Sequence, residues 1–206
     1  LPIAGGVVAL TNGNYVVGSP FWNSEAGAVT WGNGTTGVSG VVDNSNSLVG
    51  NRHTGGGGVI ALSNGNYVVT SPEWRIGGLE YVGAVTWGNG TTGISGRIRS
   101  GNWLTGLQVF DQVGIGGTVS LSNGNYVVSS PSWDNGSLNG AGAVTWANGT
   151  TGITGNINYG NSLTGTNTSD HVGSHGIVAL NNGNYLVRTP RWGNRAGAVT
   201  WGNGTT

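Results

Sequence analysis

Three histidines, seven carboxylates and nine tryptophans are the side chains here whose types suit chemistry, so their spacing is the first thing to weigh. His53, His171 and His175 are the only imidazoles, and no P-loop, GxSxG or HExxH pattern accompanies them. They stand in segments that differ between otherwise similar stretches, with no recurring carboxylate beside them. Asp170-His171 places an acid and a base side by side in sequence, whereas a catalytic pair needs convergence in a cleft. The expectation is loop histidines in solvent. Glu25, Asp43, Glu73, Glu80, Asp111, Asp134 and Asp170 have no spacing that pairs them. Cysteine is absent, which excludes disulfides and thiolate metal sites. The reading assigns no catalytic residue, metal ligand or cofactor, and the chain is expected not to be an enzyme.

The tryptophans are more regular. Trp22, Trp74, Trp133 and Trp192 each follow a proline by two residues, and an exposed indole beside Asn and Gly suits stacking on a sugar ring. One shallow carbohydrate site per repeat is the binding reading, set against plain packing. Trp31, Trp87, Trp146 and Trp201 each follow Val-Thr in a predicted strand and are expected to pack between sheets, each burying about 150–250 Å². Asn33-Gly34-Thr35, Asn89-Gly90-Thr91, Asn148-Gly149-Thr150 and Asn203-Gly204-Thr205 match the N-glycosylation sequon. The same residues are what a tight turn needs, and they are read as turns.

What positions these residues is a repeat. Asn12-Gly13-Asn14-Tyr15-Val16-Val17-Gly18-Ser19-Pro20-Phe21-Trp22 returns at Asn64, Asn123 and Asn182, spacings of 52, 59 and 59 residues. Near-constant spacing of that size means one supersecondary unit packed on its neighbours. An Asn-Gly pair flanked by apolar β-formers predicts a hairpin in which both central residues take positive φ. Within one unit the expected strands are Gly5-Gly6-Val7-Val8-Ala9-Leu10, Tyr15-Val16-Val17-Gly18-Ser19, Ala28-Val29-Thr30-Trp31 and, after a second Asn-Gly turn, Val38-Ser39-Gly40-Val41-Val42. Pro20, which cannot donate to a ladder, closes the second. Leu1-Pro2-Ile3-Ala4 is a lead-in. No segment has helical periodicity with caps, so helix is expected to be nearly absent.

Composition narrows the class. Forty-three glycines without a Gly-X-Y period and with five prolines exclude collagen. Only 7% of residues are charged and the net charge is zero, which leaves no electrostatic footprint for nucleic acid. No apolar run approaches the roughly 20 residues of a membrane-spanning helix. All seven basic residues are Arg. Met is missing even at position 1, so the chain is expected to be a processed product or a portion of something longer.

The unit resembles the FG-GAP repeat of integrin α-subunit β-propellers and their bacterial relatives. Leu163-Thr164-Gly165 precedes Gly173-Ser174-His175-Gly176-Ile177-Val178-Ala179-Leu180, Gly18-Ser19-Pro20 matches the Gly-Ala-Pro position, and Gly27-Ala28-Val29-Thr30-Trp31 matches the Gly-Ala-Val-Tyr strand. The resemblance implies a β-propeller. It does not carry calcium over, because Asn12-Gly13-Asn14 stands where the Asp-rich loop would be, and a hard cation seeks carboxylates.

The fold expected is therefore all-β: repeated four-stranded antiparallel units, β-propeller-like, three complete and one incomplete, over residues 5–56, 57–115, 116–174 and 175–206. The function expected is an extracellular or cell-surface structural or adhesive repeat protein, glycine-rich and self-associating into a homo-oligomer or filament by strand complementation between ends. The alternative is a lectin using the Trp after each Pro.

Overall fold

The computed structural model describes residues 5–206, so the lead-in at positions 1–4 lies outside the described residues. The chain is all-β, and its four repeats build four small sheets one after another. The first repeat supplies β1 (Gly6–Ala9), β2 (Tyr15–Ser19), β3 (Ala28–Gly32) and β4 (Ser47–Val49). The second supplies β5 (Gly58–Ala61), β6 (Tyr67–Ser71), β7 (Ala84–Gly88), β8 (Gly96–Arg97) and β9 (Leu104–Thr105). The third supplies β10 (Thr118–Ser120), β11 (Tyr126–Ser130), β12 (Ala143–Ala147), β13 (Gly155–Asn156) and β14 (Ser162–Thr164), and the fourth β15 (Ile177–Ala179), β16 (Tyr185–Thr189) and β17 (Ala198–Gly202).

The first three strands of each repeat form the antiparallel meander that the sequence predicts, in matching register: Val16 faces Trp31, Val68 faces Trp87, Val127 faces Trp146 and Leu186 faces Trp201. The turn between the first two strands differs in detail. Gly13 N–H donates to Leu10 carbonyl and Leu10 N–H to Asn14 carbonyl. Only Gly13, at φ +87°, is left-handed. Asn12 uses its side chain instead, accepting the Asn14 N–H. This is a three-residue loop ending in a left-handed glycine rather than a two-residue turn with both residues at positive φ.

The fourth strand is not where the sequence placed it. It is β4, β9 or β14, paired antiparallel to β3, β7 or β12. The apolar segment after the second Asn-Gly turn crosses to the preceding repeat: β8 lies parallel to β4, and β13 parallel to β9. Asn33 closes that turn on a single antiparallel bridge to Gly37 rather than on a ladder. Its carboxamide oxygen accepts the Thr35 and Thr36 N–H groups, and Gly37 N–H closes on its carbonyl, so the turn ends and the chain leaves the sheet. Residues 38–42 form no strand, and Val41 is 82% exposed.

The sheets pack face to face in chain order. Val16, Val29 and Leu48 of the first meet Tyr67, Val69 and Ala84 of the second. Val68, Val85 and Leu104 of the second meet Tyr126, Val128 and Ala143 of the third. Val127 and Val144 then meet Tyr185 and Val187 of the fourth. Among the described residues the outer faces of the first and fourth sheets stay open, with Val7 69%, Val199 67% and Trp201 56% exposed. Among the described residues helix is confined to two four-residue turns, Trp22–Glu25 and Trp192–Arg195, whose central residues are left-handed.

Candidate functional site

His53 is not a solvated loop residue. It is buried where the first two repeats meet, its Nδ1 2.7 Å from Glu73 Oε2 and its Nε2 3.6 Å from Glu25 Oε2. Arg52 reaches the same two carboxylates at 3.5 Å, and the Phe21 ring stands edge-on to the imidazole at 5.4 Å. The imidazole is thus held between two carboxylates. Four clefts of about 190 to 450 Å³ are lined by other residues, and the cluster ties loops of two repeats together. His171 holds the corresponding place two joints further on, its Nδ1 2.9 Å from the Pro131 carbonyl. Among the described residues no three His, Asp or Glu side chains converge as a metal site would require.

Asp111 and Asp170 stand where the first joint has Arg52, and both are buried. Asp111 accepts the N–H groups of Leu107 and Gln108 on one oxygen and that of Asp134 on the other. Asp170 accepts those of Thr166 and Asn167 and, across the joint, of Gly193. Burial raises the Asp111 carboxyl above its ordinary range, with the nearby Asp134 charge adding to it against the three N–H donors. Burial acts on Asp170 too, but its donors, with the Asn167 carboxamide, together outweigh it and hold that carboxyl low. The two aspartates are structural staples with opposite proton affinities.

The four tryptophans after proline do not form four equivalent sites. Trp74 and Trp133 are 4% and 6% exposed, and Trp74 packs on Trp103 with ring centroids 4.7 Å apart. Neither has a face left for a sugar. Trp22 is half-buried and Trp192 is 42% exposed, each on a left-handed turn. The four indoles therefore differ in exposure, and Trp22 and Trp192 are the two that present part of a ring to solvent.

The constellation that does recur joins the other tryptophans to the asparagines of the turns. Asn12 Nδ2, Asn14 Nδ2 and Trp31 Nε1 all donate to one acceptor, the carbonyl of Gly90 in the next repeat, at 2.8, 2.8 and 3.0 Å. Asn64, Asn66 and Trp87 do the same to Gly149, each at 2.9 Å. Asn123, Asn125 and Trp146 grip Gly204 at 2.8, 2.9 and 2.9 Å. The accepting turn is itself fixed from its own repeat: Gly90 N–H donates to Asn66 Oδ1 at 3.0 Å, and a Cβ on Gly90 would stand 1.7 Å from the Gly65 carbonyl oxygen. Two turns therefore stack within each repeat, and the outer one is clasped by the repeat before it.

Beneath the clasp the chain must pass under the indole. Gly93 and Gly152 allow this, since a Cβ there would come within 2.8 Å of Trp31 and 2.7 Å of Trp87. From that point the chain becomes β8 or β13 on the neighbouring sheet. Sequence reading treated the Asn-Gly-Asn triplets as turn chemistry and the Val-Thr-Trp tryptophans as packing. The signal available was that each such indole carries an N–H, which seeks a partner once it is covered.

The model of a repeat family described as Repeat of unknown function (DUF5650) matches residues 9–58, 61–115, 120–174 and 179–206. The chain belongs to that family, with four copies of its repeat. No curated protein matches the chain.

Proposed function

We propose that this member of the repeat family is a non-enzymatic structural or adhesive protein of the cell surface or extracellular space, its stacked sheets acting as a rigid scaffold that self-associates end to end. One observation carries the reading: no repeat is self-contained. Each of the first two sheets is completed by a strand from the following repeat, and each of the three joints is closed by the same three-donor clasp. Such a unit gains stability from a neighbour of its own kind, and the likeness to FG-GAP propeller repeats fits within this reading.

The composition supports the location. A chain without Lys, Cys or Met offers few points of attack to trypsin-like proteases and oxidants. The turns that join the meanders are short and hydrogen-bonded within themselves. The test is sedimentation velocity with electron microscopy of the 206-residue chain over a range of concentrations. Ordered assemblies that grow with concentration are expected, and a monomer at every concentration would count against the proposal.

A further inference from the structure

We propose that the outer face of the fourth sheet docks onto the outer face of the first sheet of a second copy, and that Asn182, Asn184 and Trp201 clasp that copy's Gly34 carbonyl. This rests on the end-to-end reading above and names the surfaces and atoms that perform it.

The argument is that both halves of a fourth joint are already present. On the donor side, Leu186, Val199 and Trp201 occupy the positions of Val127, Val144 and Trp146, which the third sheet presses against the fourth. Val199 and Trp201 are more than half exposed. Asn182 and Asn184 repeat Asn123 and Asn125, and among the described residues neither their Nδ2 groups nor Trp201 Nε1 have an acceptor on a following repeat. Asn184 Oδ1 is already bonded to Gly204 N–H at 3.0 Å, which orients the side chain as Asn66 is oriented.

On the acceptor side, the Gly34 turn is built like the three that are gripped. Its N–H donates to Asn14 Oδ1 at 3.0 Å, and a Cβ on Gly34 would stand 1.8 Å from the Gly13 carbonyl oxygen, so its own carbonyl is presented in the same way. Around it lies the face that corresponds to Tyr67 and Val69: Tyr15, Val17 and the exposed Val7. The contact is between unlike surfaces of identical chains, which gives a ring if the rotation closes and a filament if it does not.

Arg188 is the one charged side chain of β16 and stands where the second and third repeats carry Thr70 and Ser129. By register it would lie over Val7 of the second copy, so it weakens the joint without removing it.

The test uses two blocked variants. Val199→Glu places a charge on the fourth sheet's outer face and Val7→Glu on the first sheet's, both at exposed positions where the fold is unaffected. Each alone should remain monomeric, and an equimolar mixture should stop at a heterodimer, since one free face of each kind remains. Trp201→Ala should weaken association at least tenfold, Arg188→Ser should strengthen it, and Trp22→Ala should leave it unchanged. If either blocked variant still assembles like the unmodified chain, or the mixture forms no heterodimer, the inference fails while end-to-end association by another surface stands. If the unmodified chain never associates, the broader reading fails with it.

Discussion

The indole N–H of Trp31 donates to the carbonyl oxygen of Gly90 across 3.0 Å, joining two residues 59 positions apart in the chain. The carbonyl accepts two further N–H bonds from Asn12 and Asn14, so a single backbone oxygen gathers three of the bonds by which one repeat holds the next.

Removing one donor should cost about one ordinary hydrogen bond. Trp87→Phe keeps a ring in place but leaves Gly149 with only Asn64 and Asn66, and a loss of about 0.5–1.5 kcal/mol is expected in urea denaturation. Asn66→Asp should cost more, about 1–3 kcal/mol at neutral pH, because a carboxylate oxygen would replace the Nδ2 that faces the carbonyl. In acid, where the new carboxyl regains a proton and can donate, part of that loss should be recovered.

Backbone approach at the stacked turns predicts a sharp contrast between two glycines. Gly90→Ala would place a methyl 1.7 Å from the Gly65 carbonyl oxygen, and a loss of about 3 kcal/mol is expected from the forced separation of the turns. Gly78 has open space where its Cβ would be and an ordinary backbone conformation. Thermal denaturation of Gly78→Ala should therefore match the parent chain closely.

Among the tryptophans after proline, burial predicts two classes. Trp133→Ala should destabilise by about 3–5 kcal/mol, as removal of a large core side chain does. Trp192→Ala should stay within about 0.5 kcal/mol of the parent. Chemical denaturation of both variants checks this, and equal losses would contradict the difference in exposure.

Asp111 and Asp170 should titrate on opposite sides of the ordinary carboxylate value of 3.8, observable by carbon NMR of their carboxyl groups. The signs for stability follow by linkage. For Asp170, whose folded value is depressed, the contribution is present above the unfolded value and is lost as pH falls through the folded one. For Asp111, whose folded value is raised, the advantage belongs to the protonated form and is lost as pH rises through its folded value. Acid should therefore loosen the joint between the third and fourth repeats before the one between the second and third.

The meander was legible in the sequence because its information is local. Asn12-Gly13 and the proline after Ser19 bound two short β-forming runs, and adjacent strands could only pair with each other. The fourth strand was not legible, because Ile94-Ser95-Gly96-Arg97-Ile98 carries the same apolar alternation as a strand in its own sheet while its partner, Leu48-Val49, lies in the preceding repeat. Nothing within the segment distinguishes the two pairings. His53 was misjudged for the same reason: Glu73 is 20 residues away and on the next repeat's loop, a distance that the varying loop lengths conceal. The clasp was half visible, in that the Asn and Trp recurred together, but which oxygen they shared depends on how one sheet lies against another.

Every clasp has its amide and indole N–H groups on the earlier repeat and its oxygen on the later one. The three joints thus share a single sense, and any row extended by this bond is a vector whose two termini differ chemically. Growth from one terminus would present hydrogens to the incoming unit and growth from the other an oxygen, so the two rates need not be equal and rows of opposite sense cannot be spliced.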